Sequence, residues 1–207
     1  MQQIAEILIW LPAILIGLTF HEYAHGRVAY ILGDDTAYLQ GRLTLNPLPH
    51  IDWMGFFMLI IAHFGWAKPV QVNPVNFNRN ITMKQGMMLV SLAGPAMNLL
   101  LALAGMIALR ILVPLQDNVW AGYVLALLIP LIQINLILAA FNLIPVPPLD
   151  GSKILAGLLP DAGTRLMYSL EQYGPILLLL LIITGVTGKI LLPLVTILYN
   201  LLFNIVF

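Results

Sequence analysis

The sequence predicts an all-α polytopic membrane protein: a helical bundle of about five to six apolar segments, with a short re-entrant or β-strand element at the membrane surface. Hydrophobic residues make up 60% of the 207 residues and charged residues only 9%, and the mean hydropathy is +0.94. Ordinary globular chains carry about 25% charged residues. Several apolar runs also reach the roughly 20 residues that a helix needs to cross the hydrocarbon core.

Three of these runs, 4–28, 87–113 and 120–143, are clear and rich in Leu, Ile, Ala and Val. A fourth, 174–207, is broken by the sequence TGVTGK, which favours a hydrophobic hairpin over one span followed by a surface helix. No linker or low-complexity segment divides the chain, so a single membrane-embedded domain is expected over 1–207.

The region 41–74 differs from the rest of the chain. Its apolar centre, 53–66, has only about 14 residues, which is too short for a helical span and typical of a re-entrant or interfacial segment. On either side, polar and apolar residues alternate between prolines, which predicts short strands at 41–46 and 68–72.

The charge pattern excludes some partners and indicates an orientation. Nine basic residues balance nine acidic ones, so no excess charge is available to bind nucleic acid, and the expected surroundings are a lipid bilayer. With 53–66 re-entrant, seven basic residues share one side, and the positive-inside rule makes that side cytoplasmic. A full crossing would divide them five to four. The seven are Arg27, Arg42, Lys68, Arg79, Lys84, Lys153 and Arg165; Arg110 and Lys189 lie opposite.

The run His21-Glu22-Tyr23-Ala24-His25 near the end of the first apolar segment carries the chemistry. Positions i and i+4 share a helix face, so both imidazoles can bind one Zn²⁺, with Glu22 alongside to accept a proton from the attacking water. Ionisable residues in an apolar span are costly and usually functional. The alternative is a pair of interfacial histidines and a glutamate facing water.

A catalytic zinc ion needs a third protein ligand, and the candidates are His50, His63 and six aspartates. Asp150 is favoured because it ends the run 142–151, where three prolines break a long helix and an Asp-Gly turn follows. Broken backbone at membrane depth is tolerated where it is buried in protein or lines a cavity. The re-entrant topology also brings Asp150 to the same side as His21. The alternative is a simple helix stop with a solvated turn.

These motifs resemble the site-2 protease family of intramembrane zinc metalloproteases. HEYAH matches the family's HExxH, and 142–151 matches its NxxPxxxxDG motif. The sequences AGPAMN, GRLTLNP and GWAKPVQVNP are similar to a compact bacterial or archaeal branch that lacks PDZ and CBS domains.

The resemblance implies a three-helix catalytic core (4–28, 87–113 and 120–151) in a multi-pass protein of the cell membrane, with its active site toward the cytoplasm. The alternation of polar and apolar residues, and not the resemblance, suggests that one of the predicted strands, 41–46 or 68–72, holds the unwound segment of a substrate by strand addition. The resemblance also implies cleavage of membrane-anchored protein substrates. It further implies one Zn²⁺ per chain, with His21, His25 and Asp150 as ligands, Glu22 as general base, and Asn142 near the zinc to hold the scissile peptide or its oxyanion.

Two other functions are compatible with such residues. A metal-ion transporter would place His and Asp on several helices along one path. A non-catalytic zinc-binding scaffold would be expected to lose Glu22 or a ligand, and all of these residues are present. The sequence therefore favours a protease.

Overall fold

Helices dominate the computed structural model, which describes residues 2–62 and 65–207. The described helices are α1 (Gln2–Ile31), α2 (Thr36–Leu39), α3 (Trp53–Ala62), α4 (Met83–Leu112), α5 (Val119–Asn142), α6 (Asp150–Leu158), α7 (Asp161–Glu171), α8 (Gly174–Ile183) and α9 (Val186–Val206). Single 3₁₀ turns lie at Leu48–His50, Pro74–Asn76 and Val113–Leu115. For these residues the predicted all-α class is confirmed.

Helices α1, α4 and α5 pack against one another in all three pairs, and α9 covers one side of α4 and α5. Lipid tails are as apolar as leucine, so such packing relies on close approach at small residues. A Cβ on Gly105 of α4 would lie 2.7 Å from Ile132 Cγ1 of α5, which shows how tightly these two helices meet. The buried cluster between these helices consists of Ala102, Met106, Ile132, Leu136, Leu202 and Val206.

Three of the described helical stretches are long and apolar enough to cross a membrane: Met83–Leu115, Val119–Asn142 and Val186–Val206. Helix α1 runs through the predicted first segment. Helices α7 and α8 form a pair bent by 77°. The chain therefore has the features of a membrane protein, while the number of crossings stays a prediction.

The two short strands predicted at 41–46 and 68–72 are wrong. In the described part of region 41–74, strand-like pairing is limited to one isolated antiparallel bridge between Ile51 and Ala67. The backbone of 68–73, here called the strap, bonds mainly to side chains instead of a neighbouring strand. These bonds join Lys68 O to Arg42 Nη2 (2.6 Å), Val70 N to Glu22 Oε2 (2.8 Å) and Asn73 N to Asp34 Oδ2 (2.7 Å).

Helix α3 occupies the short apolar piece of the same region. Its ten residues extend only about 15 Å, half of the roughly 30 Å hydrocarbon core. Trp53, Met54, Phe57 and Ile61 are all exposed on its surface. The length and the apolar surface suit an interfacial or re-entrant element, and its insertion into a bilayer stays a prediction.

Candidate metal centre

The two motif histidines lie one turn apart on α1 and turn their Nε2 atoms toward each other. The Nε2 atoms are 3.0 Å apart, and the residues are 5% and 8% exposed. This follows from the helical period, which places positions i and i+4 on one face. The predicted pairing of His21 with His25 is therefore present in the folded chain.

Each imidazole is held by its other nitrogen. His21 Nδ1 lies 2.7 Å from Asn98 Oδ1, and His25 Nδ1 lies 2.7 Å from Val90 O. Both partners on α4 are acceptors, so each neutral ring carries its proton on Nδ1 and presents a lone pair at Nε2. This arrangement prepares a histidine to bind a metal through Nε2.

Asp150 reaches the same point from the start of α6. Its Oδ2 lies 3.2 Å from both His21 Nε2 and His25 Nε2, and this buried oxygen has no hydrogen-bond partner in the described part of the chain. The proline-rich link after α5 turns the chain back toward α1. A Cβ on Gly151 would lie 2.4 Å from the carbonyl oxygens of Leu143 and Ile144, so only glycine lets α6 begin this close to the end of α5.

Helix α4 closes the site at Gly94. A Cβ there would lie 2.4 Å from His25 Nε2 and 2.5 Å from His21 Cε1, closer than real Cβ atoms approach such neighbours. The absence of a side chain at this position therefore makes room for both rings.

The three ligand atoms fit a zinc ion. They form a group whose atoms all lie within 4.8 Å of one another, and all three present lone pairs, which repel each other unless a cation lies between them. Two imidazole nitrogens and one carboxylate oxygen, with a fourth position open, form the donor set of catalytic zinc sites. The chemistry of the donors thus favours Zn²⁺ at His21, His25 and Asp150.

Glu22 lies beside this group and is held by the strap. Its Oε2 accepts a hydrogen bond from Val70 N at 2.8 Å. The described residues offer its Oε1 no hydrogen-bond partner. The buried guanidinium of Arg42 binds the strap at Lys68 O. Burial lowers the pKa of Arg42, while the negative charge of Glu22 acts in the opposite direction, so the two charges interact electrostatically.

The far end of the strap is anchored at Asp34, which is fully buried just after α1. Its carboxylate accepts hydrogen bonds from Thr36 (N and Oγ1), Asn73 N and Asn76 Nδ2. Burial raises the pKa of Asp34, but these hydrogen bonds together outweigh burial. The pKa of Asp34 therefore lies below its usual value. The strap is therefore tied to the chain immediately after the helix that carries Glu22.

Other candidate residues lie elsewhere. Asn142 ends α5, and its Nδ2 donates to Leu138 O on the same helix at 3.0 Å. His50 is buried with its Nε2 2.9 Å from Thr44 O, and it lies outside the metal-ligand group found in the described residues. His63 lies outside the described residues.

Sequence reasoning missed four contributors to the site. Val70 bonds directly to Glu22, and Asn135 bonds to Asn98, which holds His21. Arg42 and Asp34 bond to the strap that holds Glu22. Only Asn135 carried a signal in the sequence, as a polar residue within a long apolar run. The role of Val70 depends on its backbone amide, which no side-chain pattern reveals.

An apolar cavity of about 540 Å³ lies between α1, α3, α5 and the link between α8 and α9. Ile14, Leu18, Ile134 and Leu138 line its sides, and Thr19 brings it within two residues of the first histidine. Binding cavities of this size are mostly apolar with a few polar groups. The cavity therefore has the size and the apolar lining to accept an apolar chain beside α1.

Residues 103–183 match the model of peptidase family M50. The matched stretch includes Asp150 but not the HEYAH motif. No solved structure matches the chain.

Curated relatives cover most of the chain. It is 40% identical over 183 residues to "Putative zinc metalloprotease YwhC" of Bacillus subtilis, covering 87% of this chain and 82% of that protein. It is 33% identical over 171 residues to "Putative zinc metalloprotease Rip2" of Mycobacterium tuberculosis H37Rv, covering 81% of this chain and 63% of that longer protein. It is 30% identical over 155 residues to "Putative zinc metalloprotease MJ0611" of Methanocaldococcus jannaschii, with 73% and 71% coverage.

Proposed function

The chain belongs to peptidase family M50, and from this premise we propose that it is an intramembrane zinc endopeptidase of the site-2 type. Its reaction is hydrolysis of peptide bonds in or near the transmembrane segments of membrane-anchored proteins. One observation carries the proposal: His21 Nε2, His25 Nε2 and Asp150 Oδ2 converge in a buried site, with Glu22 beside them. The names of the relatives support the same chemistry.

His21, His25 and Asp150 would hold one Zn²⁺, which when bound acidifies water and polarises a carbonyl group. Asn98 Oδ1 and Val90 O keep the two imidazoles in the ligand orientation. The ligands come from α1 and α6, and their supports from α4, so the site is complete only when these helices pack together. Metal binding and correct folding are thereby linked.

Glu22 acts as general base and then as general acid. Val70 N engages Oε2, which leaves Oε1 to accept a proton from the attacking water and to return it to the leaving amine. A hydrogen bond to one oxygen fixes the plane of the carboxylate and therefore the position of the other. The strap thus serves proton transfer by orienting the base.

The substrate must expose its backbone before it is cleaved. A helical segment engages its carbonyl groups in its own hydrogen bonds, so it has to unwind locally near the metal. The apolar cavity beside α1 supports entry of such a segment from the membrane. Asn142 is a candidate to hold the scissile peptide once its amide leaves Leu138 O.

We propose that the active site faces the cytoplasm in a multi-pass protein. The re-entrant placement of α3 puts seven of the nine basic residues on one side, and the positive-inside rule makes that side cytoplasmic. It also places the end of α1 and the start of α6 on the same side, as a single metal site requires.

The proposal is tested with purified wild-type protein and Glu22→Gln in detergent. A panel of single-span reporter proteins tagged at both ends serves as substrate, and zinc content is measured on both proteins. We expect cleavage by wild type, none by Glu22→Gln, and about one zinc per chain in each. Glu171→Gln on α7 removes the same charge away from the site and should cleave normally.

Two results would contradict the proposal. Wild-type protein that binds no zinc would remove its basis. Zinc in both proteins without cleavage of any reporter would favour a metal-ion transporter or a non-catalytic scaffold, which measurement of zinc flux into liposomes distinguishes.

A further inference from the structure

A chain of buried amides connects the candidate metal centre to helix α5. Asn98 on α4 and Asn135 on α5 are both fully buried. Asn98 Nδ2 donates to Asn135 Oδ1 at 2.8 Å and to Gly17 O at 3.0 Å. Asn135 Nδ2 donates to Leu131 O at 2.8 Å. With His21, this chain links α1, α4 and α5.

The backbone carbonyls at its ends determine the direction of every bond. Leu131 O is only an acceptor, so Asn135 must turn its NH₂ group toward it and its Oδ1 toward Asn98. Asn98 must then present its NH₂ group to Asn135, and Gly17 O, a second pure acceptor, requires the same orientation. If either amide were rotated by 180°, two acceptor oxygens would face each other.

The last bond of the chain sets the proton on His21. With its NH₂ group engaged, Asn98 has only Oδ1 left for His21 Nδ1, at 2.7 Å. The ring must donate to this oxygen, so its proton stays on Nδ1 and its lone pair on Nε2. Nε2 is the atom that faces His25 Nε2 and Asp150 Oδ2.

Packing alone does not explain an asparagine at position 135. A buried amide costs several kcal/mol unless it is fully hydrogen-bonded, and leucine would fill a similar volume between apolar helices without that cost. Without Asn135, one of the two acceptors that orient the Asn98 amide is lost. The Asn135 amide therefore serves to orient Asn98 toward His21.

We propose that Asn135 is a positioning residue of the metal centre, which acts through Asn98 to hold His21 as a metal ligand. This inference rests on the proposed function, since it assumes that His21 binds zinc. Partners behind a metal-bound histidine typically contribute about 10–100-fold to metal affinity. Because Asn135 acts through one intermediate residue, we expect the lower end of this range.

The test measures zinc affinity by competition with a chelating indicator, together with the visible absorption of the Co²⁺-substituted protein. Asn135→Leu is expected to bind zinc about tenfold more weakly and to alter the Co²⁺ spectrum. Asn135→Asp should restore both, because a buried carboxylic acid kept neutral by apolar surroundings offers the same donor and acceptor. If the leucine variant does not fold, Asn135→Ala replaces it with the same expectation.

A matched control separates positioning from general stability. Thr164→Val removes another buried hydrogen bond, from Thr164 Oγ1 to Ala156 O at 2.8 Å, and should lower the melting temperature without changing zinc affinity. Wild-type affinity in Asn135→Leu, or an equal loss in Thr164→Val, would overturn the inference while leaving the proposed function intact. A wild-type protein that binds no zinc would overturn both.

Discussion

The proposed metal ligands and the proposed general base are held by two different kinds of structure. His21 and His25 lie between packed helices, and their Nδ1 atoms bond to α4. Glu22 lies between them in sequence, yet its carboxylate bonds to the irregular strap at Val70 N. One turn of α1 therefore carries side chains that are held by two different regions, the packed helix α4 and the strap.

The difference separates metal binding from proton transfer. Changes in the helix bundle should act first on zinc affinity, because they move the imidazoles or their partners. Changes in the strap should act on the rate of cleavage at full zinc occupancy, because they move only the base. The first two predictions below each test one side of this division, and the last tests the anchor of the strap, in order from the largest expected effect to the smallest.

Gly94→Ala should abolish the metal centre. The added Cβ would lie 2.4 Å from His25 Nε2, so the ring or the helix must move, and we expect zinc affinity to fall by about a hundredfold or more. Zinc titration and cleavage assays measure the loss.

Gly122→Ala is the matched control, because nothing lies within 4 Å of a Cβ at that position of α5. Alanine there should leave zinc affinity unchanged and stabilise the helix by up to about 1 kcal/mol. Wild-type zinc binding in Gly94→Ala would show that the site is not closed by α4.

Val70→Pro should slow cleavage while zinc stays bound. Proline removes the N–H group that donates to Glu22 Oε2, and a misplaced base lowers kcat by about tenfold to a hundredfold. Steady-state kinetics beside zinc content provide the test.

Leu45→Pro restricts the other segment that was predicted to be a strand, without removing a bond to Glu22. Normal cleavage by this variant would argue against substrate binding at 41–46. Normal cleavage by Val70→Pro would contradict both the orientation of Glu22 by the strap and strand addition at 68–72.

Asp34→Asn should have the smallest effect, on stability and its pH dependence. The folded-state pKa of Asp34 lies below the usual 3.8, so its ionised form stabilises the fold above that pH, and this contribution is lost as the pH falls through the folded value. We expect a loss of about 1–3 kcal/mol at pH 7 that shrinks toward pH 3.

Thermal unfolding in detergent at both pH values measures this change. Asp35→Asn serves as the control because the neighbouring aspartate is exposed, and it should unfold like wild type. A difference between Asp34→Asn and wild type that stays constant from pH 7 to pH 3 would exclude the carboxylate as its source.

A feature of the fold or of the site could be predicted from the sequence when it depends only on residues that are close together along the chain. The pairing of His21 and His25 needs only the period of one helix, and the proline-rich link singled out Asp150 among six aspartates. The strands at 41–46 and 68–72 were wrong because alternation of side chains does not provide a partner strand, and side chains such as Glu22 and Asp34 take up the strap's backbone groups.

By itself the sequence indicated the membrane class, the long apolar helices and the residues proposed for zinc chemistry, because hydropathy and helical periodicity depend on neighbours along one segment. The tertiary structure decided what supports that chemistry. Asn98 lies 77 positions from His21, and Val70 lies 48 positions from Glu22. Bonds between such distant residues depend on how the helices pack and where a loop crosses them, and no local pattern encodes that.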